Sequence, residues 1–523
     1  AAQEDGLMDV LLTLLPIIAV LILLVFLKCP ADISGLIGWV LVVFVSSFFF
    51  HTSLQVGLTA SLAGLIASFP VSLMVATSIF QITFLESTGA LKRIVVFVKT
   101  IAKSNQAVQV MIINMGIGTL LVAVGATPVS ILPPIMVALG YSTFVAVALP
   151  ALGFDSLCTY ALLGAPLVVF SDMTGTSLND SALVFSKFMP VISTMIGFGM
   201  LWIVGGWQKM REGFVPCVIA GVSMGLTAVA VAHAGTGIVL TGVMGGTVTI
   251  IAMIIYLKLL NKPLLERSCL TQEDLKIEAS MPLLRALGPW IILVTCCLII
   301  NFWPPLYNYL FKVWAMPLQI IPGDKPVMTR MLWNAYTWVI ISTILAVPFI
   351  KPSKEQWAEI FKKWFNRAPR PVFSAAIFFA IAYVMMKSGF VPEGGKWVLK
   401  NPGFNMISIL AVSSADYFKS LYPAVASFLG LLGGFVSGSE ASAIALFAKY
   451  NILTSKLLNV DPLVVTAGTA ISAGLASVIS PAKLQNAAAT IDSLGIESQV
   501  IKVALVVALI FTSVAALLTF IWA

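Results

Sequence analysis

The chain has 523 residues, 59% of them hydrophobic and only 10% charged, with a mean hydropathy of +1.02. A water-soluble domain carries roughly 25% charged residues, so the polar side chains are too few to cover a water-facing surface, and lipid is the natural solvent. The formal charge of +8 does not point to nucleic acid, because Lys and Arg fall in short clusters between apolar stretches, as the positive-inside bias produces.

Several uninterrupted apolar stretches approach the roughly 20 residues that cross about 30 Å of hydrocarbon. Such continuity favours helices over the alternation of a membrane barrel. The expected fold is therefore all-α and polytopic, with about 12–14 transmembrane helices of that length. The opening AAQEDG has no basic segment, so no secretory signal is expected there. Residues 10–27 read as the first span. Glu4, Asp5 and Asp9 precede it and Lys28 follows it, which puts the N-terminus outside. Residues 33–50 return the chain to the outer face, and 61–84 form a third span kinked at Pro70, since proline removes a backbone donor. The stretch 91–103 (LKRIVVFVKTIAK) carries Lys92, Arg93, Lys99 and Lys103 at helical spacing and reads as an amphipathic helix on the cytoplasmic surface. Further apolar stretches follow through the middle of the chain and end with 462–479 and 503–522. Residues 258–285 and 351–370, rich in Lys and Arg, read as cytoplasmic loops. Residues 303–331 (aromatics, prolines and few charges) suit the outer interface.

Each half holds two interruptions of an apolar run, about forty residues apart. In the first half they lie near 124–130 (VGATPVS) and 154–167, the latter ending in LLGAPL. In the second half they are 437–442 (SGSEAS) and 479–486 (ISPAKLQN). Matched broken segments are the sequence pointer to a transporter binding site, because irregular backbone at membrane depth survives only inside protein or along a wet cavity. The bland alternative is that Gly and Ser merely let helices pack closely. Charged residues sit at three of these places: Asp155, Glu440 and Lys483. Charge in an apolar run is costly and marks function by default. Asp172, Asp416, Lys419 and Asp492 lie nearer segment ends, where a solvated position is the simpler reading.

The expected substrate-binding set is Thr127, Pro128, Ser130, Ser156, Thr159, Ser437, Gly438, Ser439, Ser442, Ser480, Lys483, Gln485 and Asn486. Broken helices offer free N–H groups and a positive dipole end to a carboxylate; hydroxyls add donors, and Lys483 adds a full charge. Asp155 and Glu440 are the expected coupling-ion residues, binding either a proton or Na⁺. A structural ion pair between Lys483 and Glu440 is the competing reading. The six cysteines show no CxxC pattern, and His51 and His233 are far apart, so no metal site is expected. No cofactor is expected beyond the coupling H⁺ or Na⁺. The chain has no GxxxxGK[ST] and no HExxH, so neither an enzyme nor an ATP-driven pump is expected.

The sequence resembles the bacterial L-lactate permease family, transporters of 2-hydroxy monocarboxylates within the ion-transporter superfamily. The likeness runs from LLTLLPIIAVLILL near the start, through FLESTGALKRI, to the C-terminal span. It is most marked in NMISILAVSSADYFKSLYPAVASFLGLLGGFVSGSEASAIALF, then in ASVISPAKLQNAAA, and in the first half in VGATPVSILPPIMVALGY and LLGAP. The resemblance implies two inverted repeats (residues 1–260 and 261–523), a scaffold and a transport domain, re-entrant hairpins, elevator-type movement and a homodimer in a bacterial inner membrane. It implies symport of L-lactate or another 2-hydroxy monocarboxylate with H⁺ or Na⁺. A sulfonate or dicarboxylate on the same scaffold, and a membrane anchor or channel subunit of a complex, are the alternatives. The chain departs from the family pattern at four places. Leu120 stands where the family has an acid, Asp155 and Lys483 are gained, and Glu440 replaces an Asp.

Overall fold

The computed structural model describes residues 2–493 and 495–523; the side chains of residues 2–5, Pro481, Ala482 and Ala489 lie outside that description. Helices α1 (Ala2–Val25) and α2 (Ala31–Phe49) pack as an antiparallel pair. Their outward faces expose Leu7, Leu11, Ile22, Phe44 and Phe48, the surface that lipid covers. The expected third span is broken at Ser68 into α3 (Leu54–Ala67) and α4 (Phe69–Ser87). Pro70 does not kink a continuous helix. It sits at the second position of α4, where its missing N–H is not needed. The amphipathic helix is α5 (Ala90–Val98), with Ile94 and Val98 buried and Lys92 exposed.

A pattern of four helices then follows. Helix α6 (Gln106–Ala123), which contains a π turn at Met111–Ile117, breaks before α7 (Pro128–Ala138). Helix α8 (Thr143–Gly153) breaks before α9 (Ala161–Thr174), with a bend of 68° across that span. Leu162, Leu163 and Gly164 all have positive φ, so regular helix resumes only after Gly164. Helices α10 (Met189–Glu212), α11 (Phe214–Ala234) and α12 (Thr241–Leu259) pack on one another in sequence. The stretch Gly221-Val-Ser-Met-Gly225 has the spacing of a hydrolase nucleophile elbow, which needs a strand-to-helix turn. Here it lies inside α11. Ser223 donates to the Ala220 carbonyl at 3.0 Å, and a Cβ at Gly221 or Gly225 would meet the α10 backbone at 2.3 or 2.2 Å.

Helix α13 (Gly288–Phe302) turns by 85° into the segment Pro304–Val313, which leads to a small hairpin, β1 (Pro317–Leu318) and β2 (Val327–Met328). Helices α14 (Ala335–Ile350), α15 (Lys354–Arg367) and α16 (Pro369–Lys387) follow. The two basic stretches expected as loops each contain a helix: Gln272–Ser280 in the first and α15 in the second. Both begin with a capping box, Thr271 with Asp274 and Ser353 with Gln356. Strands β3 (Phe390–Glu393) and β4 (Lys396–Leu399) lead to α17 (Met406–Phe418).

The four-helix pattern then recurs. Helix α18 (Tyr422–Ser437) breaks before α19 (Glu440–Leu458), and α20 (Pro462–Leu475) breaks before α21 (Pro481–Thr490); α22 (Glu497–Trp522) closes the chain. Among the described residues, eleven helical stretches are long and apolar enough to cross a membrane, or thirteen counting each bent pair as one span. The fold is polytopic and all but wholly helical. One buried apolar cluster joins both halves.

Candidate functional site

The break between α18 and α19 is built by three residues. Gly438 takes the left-handed conformation, φ +68°, and ends α18. Ser439 then caps α19 by accepting from the Ser442 N–H. Glu440 is therefore placed in the first turn of α19, at the positive end of the helix dipole, and it is 5% exposed. Ser437 donates to the Gly433 carbonyl at 2.7 Å, so its hydroxyl secures the end of α18.

The break between α8 and α9 faces this carboxylate. Thr159 Oγ1 donates to Glu440 Oε1 at 2.7 Å in a fully buried contact. Glu440 Oε2 has no hydrogen-bond partner. It lies beside Gly474 of α20, where a Cβ would stand 2.8 Å from Oε2 and 3.1 Å from the Cys158 Cβ. Only glycine leaves room there for the acid. Asp155 is 3% exposed and both of its carboxylate oxygens lack a partner. Ser156 Oγ is likewise buried and unpaired, while its carbonyl accepts from Ser193 at 2.8 Å.

The break between α20 and α21 supplies the cation. Lys483 Nζ donates to Ser477 Oγ at 2.6 Å and stands 3.8 Å from the centre of the Phe154 ring. It lies within Coulombic reach of both Asp155 and Glu440 but forms no ion pair with either among the described residues. The competing reading, a Lys483–Glu440 ion pair, is not met: a hydroxyl and an aromatic face hold the ammonium instead. An ammonium has three donors, and Ser477 uses one of them. Ser480 is buried and its carbonyl accepts from the Leu484 N–H at 3.0 Å. Gln485 and Asn486 are exposed.

The break between α6 and α7 joins through α21. Asn486 Nδ2 donates to Ser130 Oγ at 2.8 Å. Thr127 precedes Pro128 at the start of α7 and makes no side-chain cap. No side-chain hydrogen bond joins the Thr127–Ser130 tip directly to the Ser437–Ser442 tip among the described residues. They are bridged in series instead: Ser130 to Asn486, Lys483 to Phe154, and Thr159 to Glu440. All four interruptions belong to one connected site.

Sequence reasoning missed Phe154, Cys158, Gly474 and Ser477. Ser477 had a signal, since the Ser-Val-Ile-Ser stretch extends the break backwards from Ser480. The other three are defined only by which chain segment comes to lie beside them. Buried polar atoms are nearly always paired, yet Asp155, Ser156, Glu440 and Ser442 all keep unpaired side-chain oxygens here. A triad of two acids and one base at crossing helix breaks can hold a small anion and a cation together.

Broken helices crossing around buried charge, inside a bundle of apolar spans, define a multi-pass membrane transporter. Residues 9–523 match the family model described as L-lactate permease, and the chain belongs to that family. It is similar to the L-lactate permease of Streptococcus iniae, 23% identical over 458 residues, which cover 86% of this chain and 92% of the relative. It is similar to the glycolate permease of Escherichia coli (strain K12), 23% identical over 98% of this chain and 95% of the relative. The L-lactate permease of Bacillus subtilis (strain 168) is 22% identical over 83% of this chain and 81% of its own. Members of the family are transporters, not enzymes.

Proposed function

We propose that the chain is a secondary symporter of a short 2-hydroxy monocarboxylate, of the L-lactate or glycolate class, in a bacterial plasma membrane. The observation that carries this reading is the placing of two buried carboxylates, Asp155 and Glu440, and the half-buried Lys483 ammonium at three helix breaks, with unpaired oxygens on both acids. Relatives named for lactate and glycolate transport support the substrate class.

The coupling follows from charge. With both acids ionised and Lys483 protonated, the cluster carries one net negative charge and repels an incoming carboxylate. One H⁺ or Na⁺ at Asp155 or Glu440 cancels that charge, and Lys483 is then free to pair with the substrate. Each ligand favours the binding of the other, and such coupling is reciprocal. In low dielectric the effect is large. Ser156, Ser442 and the N-termini of α9, α19 and α21 supply donors to the bound anion, while Thr159 keeps its hydroxyl on Glu440. The four-helix units α6–α9 and α18–α21 form the moving body, and α1–α4 with α13–α17 form the scaffold, in an elevator-type exchange between two inverted repeats.

The test is Glu440→Gln. The amide oxygen still accepts from Thr159, so the fold is kept while the charge is lost. Gradient-driven accumulation should disappear while substrate exchange across the membrane persists. Unchanged accumulation would remove Glu440 from the coupling role. A competition panel of monocarboxylates, dicarboxylates and sulfonates checks the substrate class: monocarboxylates with a 2-hydroxyl should compete best.

A further inference from the structure

Away from the charged site, a cavity of about 470 Å³ lies between α5, α6, α12 and α13. Its walls include Ile94, Leu121, Ile250, Trp290 and Val294, and Thr295 is the one hydroxyl among them. The lining residues of α13 run from Leu287 to Thr295, about 12 Å at 1.5 Å per residue. Along α13 it forms a slot, and its lining includes Val124, where α6 gives way to the broken tip before α7. A void of this size forfeits dispersion contacts on every wall, and its lining side chains are apolar apart from the Thr295 hydroxyl, which bonds the Ile291 carbonyl, and the Trp290 indole N–H.

The charge at the mouth is lopsided. Residues 92–103 and 258–285 flank the cavity and hold nine Lys or Arg against four acids. Two of those acids are already paired, Asp274 with Lys99 at 3.2 Å and Glu278 with Arg267 at 2.8 Å. Lys92, Lys103, Lys262 and Arg285 are exposed and carry no ion pair among the described residues. Trp290, 9% exposed, keeps its indole N–H buried without an acceptor. Basic surface on the cytoplasmic side of a helix crevice is where acidic head groups bind.

We propose that this slot holds an acyl chain of an anionic phospholipid, with its head group on the basic surface formed by α5 and the segment before α13. The chain then braces the C-terminal end of α6, up to Val124, on the side away from α4, which packs against the tip at Gly125.

The test uses the whole protein in phosphatidylcholine bilayers doped with a small fraction of brominated lipid, which quenches tryptophan on contact. The difference between the wild type and Trp290→Phe isolates the Trp290 signal. Brominated phosphatidylglycerol should quench that signal severalfold more than the same fraction of brominated phosphatidylcholine. Lys103→Gln with Arg285→Gln, both at exposed positions, should remove the preference yet leave quenching. Val294→Phe, which fills the slot, should weaken quenching by either lipid. Equal quenching by the two lipids in the wild type would overturn head-group recognition and the proposal with it. No quenching of Trp290 would show that protein, such as a second copy of the chain, or collapse closes the slot, and would overturn it as well.

Discussion

In the proposed mechanism, Lys483 is the residue on which anion binding depends most. Its ammonium is held by one hydroxyl and one ring, with donors to spare. Lys483→Met removes a charge-assisted contact worth about 1.5–3 kcal/mol. Apparent affinity for the carboxylate should therefore fall ~10–100-fold, read as a rise in the KM of uptake. Gly474→Ala tests the other side of the cluster. The new methyl would meet Glu440 Oε2 and Cys158, so uptake should drop while the amount of folded protein stays near wild type. At this scale the sequence announced its charges, because an acid or a base in an apolar run is conspicuous. It could not announce Phe154 or Gly474, whose importance comes from a neighbour hundreds of residues away. The alternative of a Lys483–Glu440 pair named the wrong contact, since proximity in a fold does not specify hydrogen-bond partners.

Helix breaks and close helix approaches carry the next level. Helix α18 lies almost against α20: a Cβ at Gly430 would stand 2.0 Å from the Thr469 carbonyl oxygen, and one at Gly434 would stand 2.1 Å from that of Ala473. Small residues four apart let backbones meet in this way. Gly434→Val should push α18 off α20 and lower the thermal midpoint, overpacking costing about 1–3 kcal/mol; a thermal scan in detergent reads it. The four breaks were legible because Gly, Ser and Pro interrupt apolar runs. The helices inside the two basic stretches were legible too, through the capping boxes at Thr271 and Ser353. The density of charge there suggested loops and hid them. The π turn at Met111–Ile117 had no comparable sign, because an apolar run reads the same at either pitch.

Over the whole molecule, the recurrence of helix, break, helix, turn, helix, break, helix in both halves is the feature on which the proposed mechanism rests. Composition alone gave the membrane and the approximate number of spans, since both depend on bulk hydrophobicity. The arrangement of the two units depends on packing that no local pattern encodes. Orientation is testable through half-buried Cys29, just after α1. With the N-terminus outside, a membrane-impermeant maleimide should modify a variant retaining only Cys29 from the cytoplasmic face and not from the external one. The central claim is that the buried triad couples a carboxylate to a cation, and uptake of labelled L-lactate into proteoliposomes tests it most directly. The vesicles would carry a pH gradient, a Na⁺ gradient, or neither. Accumulation driven by one of the two gradients, and lost in Glu440→Gln, is the expected result. Lactate flux that neither gradient drives, or no flux in tight vesicles holding folded protein, would contradict it.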